Sequence, residues 1–122
     1  MNRITPPARA ILDGGISFVS IVTKNDAWNW HNAKDRFKAI LAAIEHSGIA
    51  SISEILCTDN SEYRLMEVEQ FLRDAPCPPR TSYEWCQGFN LLYGLAINRM
   101  VAKAHYPTVV YFCTNHGRFY DP

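Results

Sequence analysis

Apolar positions along the chain repeat with two different periods that alternate. Residues 16–23 (ISFVSIVT) are rich in β-branched side chains and almost continuously apolar, as a strand covered on both faces would be. A polar and aromatic stretch, residues 24–31 (KNDAWNWH), reads as a loop. Phe37, Ile40, Leu41 and Ile44 then recur at i, i+3, i+4 and i+7. That spacing predicts a helix with Asn32 as its N-cap, Asp35 in its first turn and Gly48 as its stop. Residues 52–58 predict a second strand. Any of Asp59, Asn60 and Ser61 can cap the helix that follows, whose face is Leu65, Val68, Phe71 and Leu72 and which Pro76, Pro78 and Pro79 terminate. A short strand is expected at 80–84. The clearest stripe runs through Phe89, Leu92, Tyr93, Ala96, Ile97, Met100, Val101 and Ala104, a helix ended by Tyr106-Pro107. Residues 108–113 (TVVYFC) predict the last strand, with 114–117 (TNHG) as its exit loop.

Strands and helices thus alternate, with no internal repeat or low-complexity tract. This predicts an α/β fold, a three-layer sandwich with a mainly parallel sheet and right-handed crossovers. Residues 1–15, broken by Pro6-Pro7 and Gly14-Gly15, read as an N-terminal lead-in, and 16–122 as one domain. Such sheets bind ligands outside the carboxyl ends of their strands, where the strand order reverses. The loops after Thr23, Thr58 and Cys113 are therefore the places to look for chemistry.

Composition narrows the function classes. The 122 residues carry 12 Lys+Arg against 12 Asp+Glu, so there is no basic excess to neutralise a run of phosphates, and a dedicated nucleic-acid-binding domain is not expected. No apolar run approaches the ~20 residues of a membrane span. Arg3 and Arg9 precede a hydrophobic stretch, but Asp13-Gly14-Gly15 interrupts it, and Lys24 rather than a small-residue cleavage site follows the run at 16–22; the run reads as a strand, not a leader. Cys57, Cys77, Cys86 and Cys113 form no C-x-x-C pair, and two of them sit in apolar runs, so free thiols in a reduced, cytoplasmic protein are expected.

Three loops hold candidate chemistry. Thr23, Lys24, Asn25 and Asp26 can hydrogen-bond a base, while Trp28 and Trp30 either stack on a ring or fold back onto the core. Asp59 can accept from an imide N–H or a ribose hydroxyl, or serve only as a cap. His116 can contact phosphate or act as an acid or base; Cys113-x-x-His116 is half of a metal site, with no second pair in the chain to complete four ligands. No G-x-G-x-x-G follows the first strand, and neither a Walker A sequence nor a G-x-S-x-G elbow occurs. This disfavours a nicotinamide Rossmann enzyme, a P-loop NTPase and an α/β-hydrolase.

Taken together, four stations in order resemble the N-terminal half of a family 2 glycosyltransferase of the GT-A fold. They are residues 16–25 (ISFVSIVTKN), residues 55–61 (ILCTDNS), Gln87-Gly88-Phe89 opening a helix, and residues 109–122 (VVYFCTNHGRFYDP). The resemblance spans 16–122. It implies a Rossmann-like nucleotide-diphospho-sugar transferase fold in which Thr23, Lys24, Asn25 and Asp59 hold the nucleoside. Gly88 would lie near the sugar diphosphate, and Asn115, His116 and Gly117 would stand in place of the acidic motif that binds Mg²⁺ or Mn²⁺. Gly117 falls where that motif has its final Asp, leaving His116 as the residue toward a metal. The function implied is transfer of a sugar from a nucleotide-diphosphate donor to an acceptor hydroxyl. The chain stops where the family's acceptor half and catalytic base begin. It is then either a fragment of a longer enzyme, or a non-catalytic, degenerate GT-A-like domain that binds a nucleotide or a protein partner. The apolar surface left by that stop would be covered by a second copy, a homodimer. A small metal-binding module using Cys113 and His116 is the remaining alternative.

Overall fold

A computed structural model describes residues 13–86 and 93–114. Four strands, β1 (Ile16–Val22), β2 (Ser53–Asp59), β3 (Arg80–Trp85) and β4 (Thr108–Tyr111), alternate with α1 (Trp30–His46), α2 (Met66–Asp74) and α3 (Tyr93–Lys103). The strands form one sheet in the order β3-β2-β1-β4, and every neighbouring pair is parallel. The chain steps outward from β1 through β2 to β3, then returns to the other side of β1 for β4. Right-handed crossovers put the helices of the outward run on one face and the helix of the return on the other.

The packing follows that rule, because successive residues of a strand point to opposite faces. Phe37 and Ile44 of α1 and Val68 and Leu72 of α2 are buried with Ile16, Val22, Ile55 and Cys57. Ala96 and Met100 of α3 are buried with Val19, Ile21 and Leu56 on the opposite side. The result is the expected helix–sheet–helix sandwich with Rossmann-like topology, parallel in all its described strands. All seven residues of β2 are buried, the apolar Ile55, Leu56 and Cys57 at its middle and the polar Ser53, Glu54, Thr58 and Asp59 at its two ends.

Local boundaries differ from expectation in ways with physical causes. The N-cap of α1 is Asn29, not Asn32: the Asn29 side chain accepts from the Asn32 backbone N–H at 3.1 Å. The helix begins early because Trp30 belongs to it, its ring set edge-on to Phe71 with centroids 5.9 Å apart. Asp35 consequently lies beyond the first turn, where it meets His31 at 3.5 Å on an exposed face. The helix ends as expected, with Ser47 as C-cap and Gly48 at φ +68°. At the start of β1, Gly15 has φ +89°, and a Cβ there would lie 2.4 Å from Tyr106 Cδ1 and 2.6 Å from the Ile52 carbonyl oxygen, so only glycine fits. For α2, none of the three residues Asp59, Asn60 and Ser61 is the cap. That position is Leu65, which has no side-chain cap bond of its own. The stripe positions Phe89 and Leu92 lie outside the described residues. No described helix is long and apolar enough to cross a membrane.

Candidate functional site

The strand order reverses at β1, so the site predicted by topology lies at the carboxyl ends of β1, β2 and β4. There the end of β2 delivers Asp59 inward. Its side chain is wholly buried. Oδ1 accepts the Ser61 N–H at 2.9 Å, and Oδ2 accepts the Leu65 N–H at 2.7 Å together with the phenol O–H of Tyr83. Asp59 thus supplies from six residues upstream the acceptor that the cap residue of α2 lacks. Burial first, and the hydrogen bond and charge of Asp59 next, push the Tyr83 phenol well above its ordinary range. Burial first, and then the charge of Asp59 alone, push up the Cys57 thiol, which makes it a small hydrophobe and not a nucleophile.

Ser61 ties the loops together. Its hydroxyl accepts the Lys24 backbone N–H at 2.8 Å, and its carbonyl accepts the Trp85 indole N–H at 2.9 Å. The Asn60 N–H reaches the Val22 carbonyl at 2.8 Å, and the Cys86 N–H reaches the Asp59 carbonyl at 2.9 Å. The exits of β1, β2 and β3 are therefore bonded to one another around Asp59 and Ser61.

Outside this network is an open cleft of about 470 Å³, lined by Lys24, Asn25 and Asp26 from one loop and by Glu62, Tyr63 and Arg64 from the other. Tyr63 is 75% exposed. Arg64 bonds Glu69 at 2.8 Å and lies over the rings of Tyr83 and Trp85, 5.8 and 5.9 Å from their centroids. The wall holds carboxylates, two cations and an exposed aromatic ring. That set can accept hydrogen bonds from hydroxyl and N–H groups and stack on a planar ring.

The sequence-predicted residues distribute as follows. Lys24 and Asn25 line the cleft, and Asn25 Oδ1 also accepts the Ala27 N–H at 2.9 Å, closing an Asx turn. Thr23 is half-buried at the end of β1. Asp59 is brought to the carboxyl edge of the sheet, with both carboxylate oxygens bonded within the fold. Trp28 and Trp30 stack on each other at 6.5 Å and pack against the core through Phe71, so they fold back and do not stand open for a ligand. Gly88, Asn115 and His116 lie outside the described residues. Among the described residues no three His, Cys, Asp or Glu side chains are gathered to hold a metal ion. The four cysteines are all unpaired, as their spacing suggested.

Sequence reasoning passed over Ser61 as a hub, Tyr83 as the partner of Asp59, and Tyr63 and Arg64 as cleft residues. The signal available for Tyr83 was a tyrosine within an expected strand, whose hydroxyl needs a partner once buried. No protein-family model, curated protein or solved structure matches this chain.

Proposed function

We propose that this chain binds a nucleoside-diphosphate sugar at the carboxyl ends of its strands, in the manner of the GT-A family 2 glycosyltransferases it resembles, and belongs to a transferase acting on an acceptor hydroxyl. The observation that carries the reading is the cleft between the β1 and β2 exits, on the carboxyl edge of the parallel sheet and beside the β1/β4 reversal of strand order at which such sheets take their ligands. In this reading the cleft holds the nucleoside. Tyr63 stacks on the base, and Asp26 and Glu62 accept from ribose hydroxyls or a base N–H. Asp59 is a positioning residue that fixes the loop carrying Tyr63 and Arg64. The diphosphate extends toward the exit of β4, where the resemblance puts Asn115 and His116. A divalent cation there would offer charge to the diphosphate, and Mg²⁺ and Mn²⁺ take oxygen ligands. The described cleft offers no such set, and no step of the binding reading depends on a metal.

Calorimetric titration with UDP and with GDP, each with and without Mn²⁺, tests this. One nucleotide is expected to bind with a Kd on the order of micromolar. Tyr63→Ala is expected to weaken it about tenfold, since base–aromatic stacking contributes ~1–3 kcal/mol per base. Lack of binding by both nucleotides would sink the proposal.

A second reading, a non-catalytic GT-A-like domain that binds nucleotide or a protein partner, is favoured by one observation: both oxygens of Asp59 are engaged within the fold. Incubation with sugar nucleotides and Mn²⁺ separates the two readings. Hydrolysis or transfer above background rejects the second.

A further inference from the structure

The opposite edge of the sheet holds a second polar constellation, ~20 Å from the cleft by the length of a seven-residue strand. Glu54, the second residue of β2, is 1% exposed. Its carboxylate accepts the Ser17 hydroxyl at 2.6 Å, the His105 backbone N–H at 2.6 Å and His105 Nδ1–H at 2.9 Å. A buried carboxylate is costly unless it is bonded in this way. Burial alone would raise its pKa, but the bonds from Ser17 and His105 outweigh it and hold the group below its ordinary value.

Ser17, Glu54 and Arg80 are register partners on three adjacent strands. Register partners in a parallel sheet share a face, here the one that α3 covers, and His105 follows that helix. The row thus anchors an imidazole whose Nδ1 is fixed as a donor to Glu54 and whose other nitrogen is left for solvent, the side chain being 60% exposed. Arg80 is exposed, and its guanidinium has no hydrogen-bond or ion-pair partner among the described residues. His105 and Arg80 line a cavity of about 340 Å³ with Ser53, Cys77 and Tyr106. Ser53 also borders the cavity; it is 2% exposed, its side chain lies on the face of the sheet opposite to Glu54, and its buried hydroxyl has no partner among the described residues.

We propose that this cavity binds a phosphoryl group through the Arg80 guanidinium and His105 Nε2. The charged groups around it are Glu54, His105 and Arg80. With the imidazole protonated on binding, their sum is one positive charge. A guanidinium fork and an oriented imidazole match a tetrahedral oxyanion presenting several acceptors.

The test is an NMR titration of the whole chain with inorganic phosphate, with glycerol phosphate and with acetate. With phosphate, the His105 ring signals are expected to shift along a saturating curve while those of the exposed His31 and His46 stay put. Arg80→Ala, at an exposed position, is expected to weaken the response at least tenfold, and Arg80→Lys, which keeps the charge without the fork, to fall between. The exposed Cys77 should be alkylated more slowly in saturating phosphate. A tighter curve with glycerol phosphate identifies a phosphate monoester as the ligand, and equal curves show that the free ion suffices. A linear response shared by all these histidines, an unchanged Arg80→Ala curve, or equal saturation by acetate overturns the proposal.

Discussion

Asp59 shows how one side chain can organise three loops without touching a ligand. Removing it leaves the buried Ser61 N–H without its acceptor and the Leu65 N–H with only the Tyr83 hydroxyl at 3.2 Å, and breaking a buried charged network typically costs about 3–5 kcal/mol. Asp59→Ala is therefore expected to lower the midpoint of urea unfolding severely. Tyr83→Phe, which deletes one of the bonds to this carboxylate, should cost about 1.5–3 kcal/mol in the same assay. Equal stability of either variant and the parent would refute the role given to this network. Glu54 carries a prediction about acidity. Its folded-state pKa lies below the ordinary 4.5, so its contribution is present above that value and is lost as the pH falls through the lower folded one. Glu54→Gln should thus be less stable than the parent at neutral pH, with the gap closing below pH 4.5 in a series of unfolding curves.

At the scale of elements, the helix faces and the alternation of types were legible because they depend on periodicity, which is local. Phe37 and Ile44, and Val68 and Leu72, are buried as their spacing required. The start of α1 was misread because the choice between two asparagines depends on where Trp30 packs, and its partner Phe71 comes from a different helix. Asn29→Ala is expected to cost about 1 kcal/mol by thermal or urea unfolding and Asn32→Ala far less; the reverse order would restore Asn32 as the cap. The site was legible to the same depth. The topological rule pointed to the loops after β1 and β2, and Lys24 and Asn25 do line the cleft between them. The inward turn of Asp59 was hidden because its partners, the Leu65 N–H and the Tyr83 hydroxyl, arrive from the next loop and from β3.

For the whole molecule, the strand order sets which parts can communicate. The proposed nucleotide cleft and the proposed phosphoryl cavity lie at opposite ends of β2, so each can be altered without rebuilding the other; Arg80→Ala should leave nucleotide affinity within about twofold by calorimetry. The same order also dictates a sequence of events in time. The contacts joining β1 to β2 close loops of 37 residues, while Ser20 and Thr114, at the other side of β1, are 94 apart. By loop-closure entropy the longer one costs only about 0.8 kcal/mol more, but such distant pairings slow folding. The β1–β2–β3 half, with α1 and α2, is therefore expected to form before α3 and β4 dock. In chevron analysis Ile55→Val should mainly slow folding and Met100→Ala mainly speed unfolding; the opposite partition would reverse the order. Until β4 arrives, β1, an inner strand of the finished sheet, is an open edge, and the half-made molecule is then most prone to pair with another copy of itself.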